Sequence, residues 1–129
     1  ILLVDDDYEI VETMRIALEA KGFEILIARD GKQGLDMADR EGPDLVILDG
    51  MMPKLSGLLV LERLRLTHRT RVPVIMLTAY EGELHKRWAI EVGVNSFIRK
   101  PVAMGDLIKI VEDLLHPQAD CHGEPPQDC

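Results

Sequence analysis

Residues Leu3–Ile10 read LVDDDYEI, an apolar run that ends in three consecutive carboxylates, Asp5, Asp6 and Asp7, before a stretch of helical pattern begins. Like charges a few ångströms apart repel by about 4 kcal/mol per pair at an effective dielectric near 20, so a strand ending this way needs something to offset its charge. One aspartate can cap the following helix while the others are solvated. The alternative is a bound cation, and the rest of the chain decides between the two.

Working outward, short apolar runs recur at Ile1–Val4, Phe23–Ala28, Leu45–Leu48, Val72–Leu77 and Phe97–Ile98. The segments between them have helical spacing. In the first, Ile10, Met14, Ala17 and Leu18 share a face, and Lys21-Gly22 is expected to end the helix. The second covers Gly31 to Glu41 and stops at Gly42-Pro43. The third runs from Gly57 to about Arg65, the fourth from Glu83 to Val92 before Gly93. The fifth, from about Gly105 to Leu115, carries Leu107, Ile108, Val111, Leu114 and Leu115 at 3.6-residue spacing. Strand and helix alternate, which implies parallel strands joined by right-handed crossovers and so a doubly wound α/β domain.

The 129 residues suit one domain, long enough to bury roughly two-thirds of the surface of its unfolded form. An apolar fraction of 47% with 29% charged residues excludes a disordered chain. A net charge of −8 and a pI near 4.9 argue against a nucleic-acid surface, which needs clustered Lys and Arg. The basic run His68-Arg69-Thr70-Arg71 is short and reads as a solvated loop. No window has the roughly 18 apolar residues of a membrane span. Both cysteines, Cys121 and Cys129, fall in the last nine residues, so no disulfide framework supports the core; a reducing, cytoplasmic setting is expected. Ile1 sits inside an apolar run without an initiator Met, so the natural start is expected upstream. The domain is expected to cover 1–115. From His116 onward the composition turns to Pro and charge, as in a disordered tail or the start of a linker, and His116, Cys121, His122 and Cys129 match no familiar zinc spacing.

Open parallel sheets bind ligands outside the carboxyl ends of their strands. In this chain those ends carry Asp5-Asp6, Asp49 after DLVIL, Thr78 after VPVIML, and Lys100-Pro101 after SFIR. Singly, each has an ordinary structural reading: a turn cap, a backbone-bonded hydroxyl, a solvated charge. Gathered at one edge they suit phosphoryl transfer. Asp5 and Asp6 are the oxygen ligands that Mg²⁺ (or Mn²⁺) prefers, and such an ion would relieve the carboxylate repulsion and neutralise an incoming phosphoryl group. Asp49 would then serve as a carboxylate nucleophile, with Lys100 and the Thr78 hydroxyl on the phosphoryl oxygens. Asp7 is left as a helix cap or a solvated charge.

These residues bring out a family likeness. VDDD at Val4–Asp7, DLVILDGMMPKLSG at Asp44–Gly57, VIMLTAY at Val74–Tyr80 and GVNSFIRKPV at Gly93–Val102 resemble, in order, the motifs of the receiver domain of two-component response regulators, the CheY-like superfamily. The likeness spans Ile1 to about Leu115. It implies a (βα)5 flavodoxin-like three-layer sandwich with a five-stranded parallel sheet of order 2-1-3-4-5. It also implies that Asp49 is the phosphoacceptor, and that Asp5, Asp6, Asp49 and the Met51 backbone carbonyl hold the magnesium. Thr78 and Lys100 would complete the site, Thr78 and Phe97 form the switch, and the Lys100-Pro101 bond would be cis. The implied partner is a sensor histidine kinase or phosphotransfer protein, with a possible homodimer through the face formed by the fourth helix, fifth strand and fifth helix. The implied role is a signalling phospho-switch that takes part in its own phosphorylation and dephosphorylation, not an enzyme.

Gly50 departs from the family, which usually has a bulky apolar residue there; by strand alternation its side chain should point away from Asp49. Trp88 reads as a partly buried packing residue rather than a docking anchor. Two other functions compete. A haloacid dehalogenase-like aspartyl-phosphate phosphatase would carry a second Asp two residues after the nucleophile, where this chain has Met51. A flavodoxin-like nucleotide-binding module would want a Gly- or hydroxyl-rich phosphate loop after the first strand, where this chain has DDDYEI.

Overall fold

The computed structural model describes residues 1–50, 52, 55–67, 70–78 and 83–115. Met51, the His68-Arg69 pair and the tail from His116 lie outside the described residues. The strands are β1 (Leu2–Val4), β2 (Leu26–Ala28), β3 (Val46–Asp49), β4 (Val74–Thr78) and β5 (Ser96–Arg99). The helices are α1 (Tyr8–Glu19), α2 (Gly31–Glu41), α3 (Gly57–Glu62), α4 (Glu83–Val92) and α5 (Met104–Leu115), and a π-helical turn over Arg63–Thr67 prolongs α3. All strand pairs are parallel, in the order β2-β1-β3-β4-β5.

Alternation along the strands divides the core in two. Leu3, Ile47, Ile75 and Leu77 face Val11, Met14 and Leu18 of α1 and Leu107 and Val111 of α5. Val4, Leu48, Val74 and Met76 face Leu35 of α2, Leu58 and Leu61 of α3, and Ala89 of α4. The three central strands are therefore buried on both faces, which is why their sequences read as unbroken apolar runs rather than alternating ones. Helix ends follow local rules. Asp7 caps α1 by accepting from the amides of Glu9 (3.0 Å) and Ile10 (3.3 Å). Gly42 ends α2 in the left-handed conformation at φ 57°.

On the amino-terminal edge of the sheet, Arg65 in the π-helical turn draws three segments together. Its guanidinium donates to the Gly93 carbonyl, the Thr70 carbonyl and the Asn95 Oδ1, each at 3.0 Å. The same Asn95 oxygen accepts from the Val74 amide at 2.9 Å. Partial burial lowers the Arg65 pKa from its ordinary value, a cost of desolvation that the matched acceptors offset.

Several boundaries differ from the sequence reading. The β2 ladder begins at Leu26 rather than Phe23; Phe23 and Ile25 still pack on the core without joining the strand pairing. Helix α1 ends at Glu19, before Lys21-Gly22, and α3 gives way to the π-helical turn at Arg63. Trp88 is 43% exposed and Ile90 56% exposed, so Trp88 is not the packing residue its size suggested. Helix α4 buries small Ala89 instead, which turns its neighbours outward.

Candidate functional site

The carboxyl edge of the sheet collects the polar residues from four strand ends. Carboxylate oxygens of Asp5, Asp6 and Asp49 lie within 4.8 Å of one another. Asp5 and Asp49 are buried, at 1% and 5% exposure, while Asp6 is open to solvent. Adjacent β1 and β3 place Asp5 and Asp49 side by side, and alternation sends both side chains to the α1/α5 face.

Asp5 is fixed from two sides. Its Oδ1 accepts from the Asp7 amide at 2.9 Å, so the capped start of α1 orients it; its Oδ2 faces Lys100. The Lys100 ammonium reaches in from the end of β5 to 3.4 Å from Asp5 Oδ2 and 3.4 Å from Asp49 Oδ1. The Lys100 amide donates to the Thr78 carbonyl at 2.9 Å, and the Lys100-Pro101 bond is cis. Among the described residues, one ammonium stands against three clustered carboxylates, an excess of two negative charges at hard oxygen donors. That donor set and that excess fit a divalent cation such as magnesium.

Thr78 ends β4, 3% exposed. Phe97 lies on β5 opposite Met76, half-buried against the core on the α2/α3/α4 face. The structure thus brings Asp5, Asp6, Asp49 and Lys100 into direct proximity and sets Thr78 and Phe97 on the neighbouring strands. Met51, expected to contribute a carbonyl, lies outside the described residues. At the rim the Arg29 guanidinium stands 4.9 Å from the centre of the exposed Tyr8 ring. Beside the carboxylates a cleft of about 520 Å³ opens between α1 and the start of α5, walled by Ile10, Met14, Leu77, Val102 and Met104; it is apolar and touches the site through Lys100.

One contributor, Gly57, escaped the sequence reading, and Gly50, noted there as a departure, faces as expected. Gly57 starts α3 with its amide donating to the Gly50 carbonyl at 3.2 Å, and a β-carbon on it would overlap the Asp49 carbonyl oxygen. Gly50 faces away from the Asp49 carboxylate, as alternation requires, but the face it turns to holds Thr78. A glycine beside the Ser56 cap reads simply as a turn, so the close approach of Gly57 had no signal in the sequence.

Comparison with known proteins agrees with this fold. Residues 1–112 match the response regulator receiver domain. The transcriptional regulatory protein CpxR of Escherichia coli K12 is 43% identical over 115 residues, 89% of this chain and 48% of its own. The alkaline phosphatase synthesis transcriptional regulatory protein PhoP of Bacillus subtilis is 36% identical, with the same coverage of both chains. The chain spans about half the length of these curated relatives. Among solved structures, a CheY-like receiver domain protein from Methanospirillum hungatei superposes with a TM-score of 0.86 at 29% identity, covering 92% of this chain and 94% of the other. The receiver domain of Francisella response regulator 1452 gives 0.84 at 30% identity, covering 91% and 96%.

Proposed function

The chain belongs to the response regulator receiver family, and from that premise we propose that it takes a phosphoryl group onto Asp49 from the phosphohistidine of a sensor kinase or phosphotransfer protein. The observation that carries this reading is the single ammonium of Lys100 held 3.4 Å from both Asp5 and Asp49. An Asp49 carboxylate oxygen attacks phosphorus, the phosphorus–nitrogen bond of the donor breaks, and the imidazole leaves with a proton from solvent. Lys100 and the Thr78 hydroxyl bind oxygens of the resulting acyl phosphate. Asp5, Asp6 and Asp49, with the Met51 carbonyl, would hold Mg²⁺ or Mn²⁺, which when bound neutralises charge on the transferring group.

The phosphoryl group adds a near-dianion with three acceptor oxygens. Drawing the Thr78 hydroxyl toward it makes room for Phe97 and changes the α4-β5-α5 face, which serves partner docking or homodimerisation. The domain covers 1–115 and works as a cytoplasmic switch rather than a turnover enzyme. The relatives named as transcriptional regulators suggest an output on DNA, and the acidic balance of this domain puts that contact elsewhere in the parent protein. The phosphatase and nucleotide-binding readings are not favoured.

Intact-mass measurement after incubation with Mg²⁺ and acetyl phosphate tests the assignment. One phosphoryl group is expected on the wild-type chain and none on Asp49→Asn, which keeps the shape and removes the nucleophile. Equal labelling of the two would refute it.

A further inference from the structure

Leu77 of β4 stands level with Asp49 in the β3–β4 pairing, and the two side chains share the α1/α5 face of the sheet. The row that holds the acceptor carboxylate therefore turns apolar one strand further on. There the cleft of about 520 Å³ opens, lined by buried Met14 and Leu77 and by half-buried Ile10, Val102 and Met104. An apolar cavity of ~150 Å³ already accommodates a benzene ring, so this cleft has room for the body of a small organic molecule. Lys100 borders it and carries an ammonium 3.4 Å from Asp49. Of the polar residues around it, the Thr13 hydroxyl already donates to the Glu9 carbonyl at 2.9 Å, and Glu9 is an exposed carboxylate that disfavours a second negative charge nearby. The chemistry that fits is an anionic head on Lys100 joined to a short, uncharged apolar tail.

We propose that this cleft receives the leaving group of a small-molecule phosphodonor, which makes acyl phosphates with a short apolar chain, such as butyryl phosphate, better donors to Asp49 than acetyl phosphate. The proposal rests on the reading of Asp49 as acceptor. With the phosphoryl group on Lys100, the acyl chain lies against Leu77, Val102 and Met104. An Asp49 oxygen bonds to phosphorus, the bond from phosphorus to the acyl oxygen breaks, and its electron pair leaves with the carboxylate, so the step needs no proton and no further reactant. Acetate and butyrate are almost equally basic leaving groups, so a rate difference between the two donors measures what the chain contacts. Each methylene fully withdrawn from water favours binding by roughly fourfold. Val102 and Met104, on the α5 side of the cleft, are then specificity-determining residues for the donor.

The test follows labelling by intact mass at saturating Mg²⁺ over a range of acetyl phosphate and butyryl phosphate concentrations. It compares wild type with the double variant Val102→Thr/Met104→Gln, which nearly keeps side-chain size and makes that wall polar. In wild type the second-order rate constant for butyryl phosphate is expected to exceed that for acetyl phosphate at least fivefold, and in the double variant this ratio is expected to fall at least threefold. A smaller wild-type ratio or a smaller fall overturns the proposal and leaves the cleft to an apolar side chain of a protein donor. Should the double variant fail to fold, the wild type decides by NMR with butylphosphonate, whose phosphorus–carbon bond prevents transfer. Cross-peaks from its terminal methyl group to the methyl groups of Val102 and Met104 are expected with Mg²⁺ present, and their absence overturns the proposal. A chain labelled by neither donor is a separate result, the failure of the Asp49 reading itself.

Discussion

The Lys100 ammonium stands 3.4 Å from Oδ1 of Asp49 across 51 positions of sequence. At an effective dielectric near 20 a contact of that length carries about 5 kcal/mol of gross attraction, shared here with Asp5. Lys100→Met removes the ammonium that stands against Asp5 and Asp49 and leaves Asp5, Asp6 and Asp49 to repel one another. The variant is expected to melt below wild type without metal at neutral pH. It should bind Mg²⁺ several-fold more tightly, because the ion no longer competes with an ammonium. Thermal melts across a magnesium titration check this through the linkage of binding to stability; an equal magnesium-induced rise in Tm for both proteins would contradict it.

Asp6 differs from Asp5 and Asp49 in being exposed, so it would contribute charge to a bound ion at little folding cost. Asp6→Ala is expected to weaken magnesium binding by about tenfold or more, equivalent to roughly 1.4 kcal/mol, and to leave metal-free stability unchanged or slightly raised as repulsion falls. Calorimetric titration with Mg²⁺ gives the affinity, and an unchanged value would move the ion elsewhere.

Asp7 separates two roles within one residue. Its side chain caps α1, and its amide holds Asp5. Asp7→Ala deletes the first and keeps the second, so stability should fall by about 1 kcal/mol while magnesium affinity stays within twofold. Urea denaturation and metal titration on the same preparation read both; a large loss of metal binding would show that the side chain itself takes part in the site.

Gly57 leaves no room for a β-carbon against the Asp49 carbonyl oxygen. Gly57→Ala should therefore push α3 off the end of β3, lowering stability by about 1–3 kcal/mol, the usual penalty for overpacking. Chemical denaturation checks it. A variant as stable as wild type would mean that the α3 start moves freely.

The sheet was readable from sequence because its three central strands are buried on both faces and bounded by Gly, Pro and Asp. The site was readable because strand ends are where an α/β sheet presents polar groups. Readability failed where packing rather than pattern decides. Phe23 and Ile25 are apolar enough to look like strand, yet they pack on the core without pairing. Trp88 read as a partly buried packing residue by size, yet it is 43% exposed and α4 buries Ala89. Gly57 matters through a side chain that is absent, and what that absence admits is set by residues from other elements.

Arg65 fastens the turn after α3, the approach to β4 and the approach to β5 at the end of the sheet remote from Asp49. The consequence is mechanical. With one end of β4 and β5 bolted to α3, a phosphoryl group on Asp49 would not be absorbed by the strands sliding lengthwise; its push would be turned sideways, like force on a beam clamped at its far end, into the carboxyl ends of β4 and β5.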